Sequence, residues 1–191
     1  MDEQIDQHSD VVAEVIRSRR TIHNFREEPV PSREEILTAI DLARWAPNHH
    51  LTEPWRFYLL GDETVEAVSR FNAEIYAERR GEQAGEAKYE RWRRIPGWIV
   101  VTCRRSDDEV RHLEDYAACC CAIHNLQLYL WSRGIGVKWT TGPVTGTDRF
   151  FDLVGIDRAG ERLVGLVWYG FAADVPVTRR APVKEILEVR P

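Results

Sequence analysis

An α+β domain is the fold class this sequence predicts, and three observations predict it. Segments with apolar residues at helical spacing alternate with four or five short runs rich in β-branched and aromatic residues. Long helical stretches separate those runs. The 191 residues fit one domain, 1–191, at about 150 residues per domain. A domain of that size buries about 70% of the surface its unfolded chain exposes, so it needs no staples.

The elements follow in order. A first helix is predicted over residues 10–19, with Val11, Val12, Val15 and Ile16 on one face. Ser32-Arg33-Glu34-Glu35 is a capping box, and the helix it opens carries Ile36, Leu37, Ile40 and Ala43 as its buried stripe. Pro47 ends that helix near Trp45, because the residue before a proline avoids the helical region. Residues 55–60 read as a strand, and Gly61-Asp62 punctuates before a helix bearing Val65, Val68, Phe71 and Ile75. Residues 72–95, rich in Glu, Arg and Lys with Tyr76, Tyr89 and Trp92 interspersed, predict a solvent-facing helical excursion. A strand follows at 98–103. The central helix, 115–133, is apolar on most sides through Ala118, Ile123, Leu126 and Leu130, which places it in a core or at a subunit interface. Gly134 caps it. Strands at 136–141 and 163–171 are separated by a helical turn around 150–154, and residues 177–189 leave the sheet extended and end in a small helix.

Composition excludes several classes. A net charge of −5 argues against non-specific nucleic-acid binding. The first seven residues have neither a basic nor an apolar run, and no stretch approaches a membrane span, so a cytoplasmic protein without a signal peptide is expected. Cys119, Cys120 and Cys121 are consecutive. Their side chains project about 100° apart on a helix, so they cannot form one site and read as reduced core residues. No metal site is expected: His49 and His50 are adjacent and lack a third ligand, and Cys120 and His124 share a helix face without partners. There is no dinucleotide-type glycine fingerprint and no P-loop.

Two motifs carry the chemistry. Arg17-Ser18-Arg19-Arg20-Thr21-Ile22-His23-Asn24-Phe25 lies where a helix gives way to extended chain. Guanidinium, hydroxyl and N–H groups at such a junction can converge on one anion, each charge-assisted bond contributing roughly 1.5–3 kcal/mol. The same residues also suit a solvated basic helix end. The second motif is Trp45-Ala46-Pro47-Asn48-His49-His50, followed by Glu53-Pro54-Trp55-Arg56-Phe57. In order and spacing the two segments resemble the N-terminal signature of the nitroreductase family, with Thr21 in place of a serine, and the likeness runs through nearly the whole chain.

That resemblance implies an FMN-dependent oxidoreductase with a central antiparallel sheet, assembled as a domain-swapped homodimer. It implies that Arg19, Arg20 and Thr21 hold the FMN phosphate and that His23 adds a ring or ribityl contact. Thr178-Arg179-Arg180-Ala181-Pro182 resembles the family's late basic motif, which returns to the same phosphate through Arg179 or Arg180. Pro47, Asn48 and His49 match the loop that reaches the flavin of the other subunit. Trp139, Thr140, Thr141 and Gly142 match a stretch along the isoalloxazine edge, in a strand-then-glycine context suited to close approach of backbone to a ligand. An ordinary strand end with a core aromatic fits the same residues. NAD(P)H would reduce the flavin and an electron-poor small molecule would reoxidise it, so no catalytic side chain need be named. Residues 72–95 would be the lid, with Tyr76, Tyr89 and Trp92 walling the pocket. Alternatives are a specialised member, such as a dehydrogenase or reductive dehalogenase, and a flavin-binding protein without turnover.

Overall fold

The apolar runs pair with one another in a single sheet. Strands β1 (Trp55–Leu59), β2 (Gly97–Arg104), β3 (Ile135–Thr140) and β4 (Glu161–Phe171) form it in the order β1-β2-β4-β3, antiparallel throughout. The structure, a computed structural model, describes residues 2–191, with side chains from residue 8 onward. The expectation of a leaderless start thus falls largely outside the described side chains. Among the described residues no helix is long and apolar enough to cross a membrane.

The two central strands are buried on both faces, which explains their near-continuous apolar sequence. Alternation sends Ile99, Val101 and Cys103 to one side and Trp98 and Val100 to the other. Helices α2 (Arg33–Ala43) and α5 (Glu109–Ser132) cover the first face through Ile36, Ala39, Ala43, Cys119, Ile123 and Leu126. Helices α3 (Asp62–Arg80), α4 (Glu82–Arg93) and α6 (Asp148–Val154) cover the second through Val68, Phe71, Trp92, Phe150 and Phe151.

The predicted 72–95 excursion is a helical hairpin. Gly81, at φ 89°, breaks α3 from α4 in a conformation that favours glycine. A Cβ on Gly85 would lie 2.8 Å from the Ala73 carbonyl oxygen, so the two helices pack backbone against backbone. The hairpin is not solvent-facing throughout. Trp92 is buried in a cluster with Trp98 and Trp168, at ring-centroid distances of 5.3 and 5.1 Å, and anchors α4 to the sheet.

Other expectations need correction. Helix α1 spans Asp2–Ser18 rather than 10–19, and on its apolar face Val11, Val12 and Ile16 are more than half exposed. The Ser32–Glu35 capping box forms as predicted, but Leu37 points outward and Ala39 takes its place in the buried stripe. Helix α5 starts at Glu109 because the Asp108 carboxylate accepts from the N–H groups of Val110 and Arg111. Only Cys119 of the cysteine run is fully buried, and Cys121 is exposed. The C-terminal segment has one 3-10 turn, Val183–Glu185, and is otherwise extended and exposed, with Val177, Ile186 and Val189 meeting no core.

One polar clasp ties three strands together. Tyr58 donates to Glu161 Oε1 at 2.7 Å, and Thr102 donates to the same carboxylate. Burial, reinforced by the bond to Glu161, pushes the Tyr58 phenol from 10.0 up to about 12. The folded chain therefore keeps a proton that the unfolded chain loses, and this contribution to stability fades as pH climbs from 10.0 towards about 12. Ultraviolet phenolate titration should show one tyrosine ionising near the top of that window and missing from Tyr58→Phe; an unchanged titration curve would mean the clasp does not form.

Candidate functional site

Two glycines let the N-terminal motif cross the sheet. After Ser18 the chain extends, Thr21 bridges Val137 in parallel, and the Ile22 N–H donates to the Val137 carbonyl at 3.1 Å. Phe25 then pairs with Ala172 beyond the end of β4. Ile22 is fully buried, and a Cβ on Gly136 would lie 2.5 Å from its Cγ1. A Cβ on Gly170 would lie 3.2 Å from Phe25. The segment thus lies directly on the sheet, with its arginines at the β3 edge.

Arg19 is half-buried and donates to Gln127 Oε1 of α5 at 3.2 Å. Arg20 donates to the carbonyls of Arg17 and Arg19, at 2.7 and 2.9 Å, which curls its guanidinium back over the helix end. Burial lowers the Arg19 pKa, and the charges of Arg180 and then Arg20 lower it further. The Arg180 charge of the C-terminal motif therefore lies within electrostatic reach of Arg19. Among the described residues none of these arginines has a carboxylate partner. Like charges gathered without counterions are unfavourable until an anion joins them.

His23 is carried past the arginines to α4, where its carbonyl accepts from Arg91 at 3.5 Å. Pro47, Asn48 and His49 lie elsewhere. Their loop precedes β1, at the opposite edge of the sheet from β3, which is about 14 Å away at the usual strand spacing. The loop is rigidly made. The Glu53 N–H donates to Asn48 Oδ1 at 3.2 Å, Asn48 donates to Thr52 at 2.7 Å, and the Thr52 hydroxyl donates to the buried Asp115. These bonds hold His50, Leu51 and Glu53 at φ 58°, 50° and 43°, a left-handed conformation that non-glycine residues rarely adopt. One chain alone does not bring this loop to the arginines.

Trp139 is occupied structurally. Its Nε1 donates to the Val164 carbonyl at 3.2 Å, and the indole covers Gly165, where a Cβ would come 1.9 Å from that nitrogen. Thr141 and Gly142 are exposed at the strand end and Gly142 faces open space, although its N–H donates to the Thr145 hydroxyl at 3.2 Å and its carbonyl accepts from Thr145. Thr140 lies three residues beyond Val137, so about 10 Å of strand separates the two ends of the site.

Thr140, Thr141 and Gly142 open onto a cavity of about 230 Å³ between the sheet and the α3–α4 hairpin. Tyr76 and Trp92 line it, whereas Tyr89 lies on another groove and donates to Glu66 at 2.7 Å. Asn72, 1% exposed, and Trp168, 4% exposed, also line it, and the Asn72 Nδ2 and Trp168 Nε1 donors have no partner. Sequence reasoning missed Asn72, although a signal was present: an amide sits between Val68, Phe71 and Ile75 on the apolar face of α3. Taken together, the β3 edge carries cations without counterions at one end and at the other opens onto a cavity whose α3 and β4 walls hold unsatisfied donors. That set suits a ligand with an anionic group joined to an acceptor-rich body.

Residues 16–171 match the profile of the nitroreductase family. The chain is 35% identical over 190 residues to Bacillus subtilis (strain 168) YfhC, named as an NAD(P)H nitroreductase, covering 96% of this chain and 95% of that one. A nitroreductase-like family protein from Bacillus cereus superposes with a TM-score of 0.82 at 29% identity, over 94% of this chain and 95% of that one. The FMN-dependent nitroreductase NfnB of Mycobacterium smegmatis, solved in complex with NADPH, superposes at 0.77 with 17% identity, over 96% of this chain and 99% of that one, a likeness of fold.

The charge cluster generates a test. Inorganic phosphate at ten times its dissociation constant should stabilise the ligand-free protein by roughly 1.4 kcal/mol, read as a rise in Tm over a chloride control of equal ionic strength. Arg19→Ala with Arg180→Ala should remove that rise. An equal rise in the variant would locate the anion elsewhere.

Proposed function

This chain belongs to the nitroreductase family, and from that footing we propose that it is an FMN-dependent oxidoreductase passing electrons from NAD(P)H to an electron-poor small molecule of the nitroaromatic or quinone type. The observation that carries the reading is the position of Arg19, Arg20 and Thr21 at the edge of β3, without counterions and within electrostatic reach of Arg180, one strand length from the Thr140–Thr141 strand end. NfnB, described as FMN-dependent and bound to NADPH, supports both the cofactor and the reductant.

The arginines without counterions fit the phosphate of such a cofactor. Arg19, Arg20, Thr21 and Arg180 would hold its phosphate, with Arg179 nearby in sequence, and His23 would contact the polar chain or ring. Thr140 and Thr141 would present hydroxyl and peptide groups along the ring edge, Gly142 would leave room for its close approach, and Trp139 would keep that edge straight by fixing β3 to β4. When bound, the flavin supplies the redox chemistry, accepting electrons from NAD(P)H and releasing them to the second substrate in a ping-pong cycle. The protein groups bind, orient and exclude water, and no side chain is needed as acid or base.

We place Pro47, Asn48 and His49 in the site of a second copy. The opposite-edge position of their loop within one chain supports a homodimer, as do the exposed apolar residues of α1 and of the C-terminal arm, Val12, Ile16, Val177 and Ile186. In this reading 1–191 is a single domain, and the α3–α4 hairpin is its lid.

The purified protein should be yellow and release about an equivalent of FMN per chain. Replacing Arg19 and Thr21 with Ala should weaken FMN retention by at least tenfold, since each lost charge-assisted bond removes roughly 1.5–3 kcal/mol, and should loosen the dimer in size-exclusion chromatography. Full flavin occupancy in that variant would sink the phosphate assignment.

A further inference from the structure

The cavity beneath the α3–α4 hairpin has an unusual polar inventory. Lys88 and Arg91 enter it from α4, Lys138 from β3, and Asn72 and Trp168 line it with donors that have no partner. No aspartate or glutamate lines it. Neighbouring carboxylates are engaged elsewhere: Glu90 with Arg93 and Arg94, and Glu74 with Arg149. Among the described residues Lys88, Arg91 and Lys138 make no ion pair.

Aromatic faces hold two of these cations in place. The Lys88 ammonium lies 4.1 Å from the centroid of the Tyr76 ring, and that of Lys138 lies 4.8 Å from Trp168, its cross-strand neighbour on β4. Burial lowers the Lys138 pKa, and Arg91 and Lys88 lower it further, so the three charges repel one another within one small space. Cation–π contacts compensate this only in part, because they supply no anionic oxygen. Buried donors without acceptors are costly, and a set made up almost wholly of donors is satisfied best by oxyanions.

We propose that this cavity is an oxyanion-binding subsite, and that the electron acceptor is a planar compound bearing a carboxylate, gripped by Lys88, Arg91 and Lys138 while Asn72 and Trp168 donate to its oxygens. The inference rests on the flavoenzyme reading above, and it narrows the acceptor from electron-poor molecules in general to anionic ones. Arg91 has a second part. It touches the His23 carbonyl and lines both this cavity and the one beside His23, so the subsite is continuous with the N-terminal strand. The hairpin thereby supplies specificity, and the edge of β3 supplies the cofactor contacts.

Benzoate serves as the non-reacting probe and 4-nitrobenzoate against nitrobenzene as the reacting pair. Calorimetric titration of the flavin-loaded protein with benzoate should give binding that weakens at least tenfold in Lys88→Met with Arg91→Met, while flavin content per chain stays at the wild-type level. The kcat/KM preference of the unmodified protein for 4-nitrobenzoate over nitrobenzene should fall by about tenfold in that variant, one charge-assisted bond's worth. Lack of benzoate binding to the unmodified protein, or equal binding to the variant, overturns the subsite. Loss of flavin from the variant, or equal loss of activity towards both acceptors, shows that the cations serve the cofactor and overturns it as well. A colourless protein that takes up no FMN would end the flavoenzyme reading separately; benzoate calorimetry on that protein would still decide the oxyanion site.

Discussion

The contact of Ile22 with Gly136 is the constraint on which the rest of the site depends. An extended segment can cross a pleated sheet at backbone distance only where the sheet presents no side chain. Gly136 and Gly170 remove two from the same face, and Ile22 and Phe25 fill the space. The crossing leaves Arg19 against α5 and delivers His23 to α4. It also leaves Thr21 paired with the outer edge of β3, which would otherwise be open. A larger residue at Gly136 would lift the strand and separate the arginines from the strand end they serve.

Charge is organised locally against the global balance. The chain is net acidic, yet cations gather at the two ends of one strand edge, whereas Arg70, Arg93 and Arg94 pair with glutamates a helical turn away. Exposed pairs of that kind contribute little to stability. The informative cations are those that are unpaired, clustered and partly buried, since exposed single arginines are served by water. Solvent access softens the cost at Arg180 and Arg91, and partial burial raises it at Arg19 and Lys138.

The four strands were legible from apolar runs, and their observed ends differ from prediction by a residue or two, since β-branched and aromatic residues bounded by turn formers leave few alternatives. The capping box at Ser32 and the glycine after α5 were legible because each is a local rule. The Arg19–Thr21 junction could be read locally, whereas the return of Arg179 or Arg180 towards it followed only from the family resemblance, because no local pattern encodes the path of the C-terminal segment. The hairpin was half-read. Its alternating charges pointed to water, while Trp92 and Gly85, each a single residue within a polar stretch, decide its packing. Asn72 was passed over because an amide on an apolar helix face breaks the pattern being followed. The role of Trp139 also resisted sequence reading, since the hydrogen bond that occupies its indole depends on the absence of a side chain at Gly165, on the neighbouring strand.

Gly85 has a mechanical consequence. With its Cα seated against Ala73 and Ala77, α4 cannot slide or roll on α3 without opening a void or colliding with backbone. The hairpin is therefore one stiff unit, pinned to the sheet through Trp92. Lys88 and Arg91 keep a fixed spacing one helical turn apart, so a ligand that fits one charge is measured against the other as well.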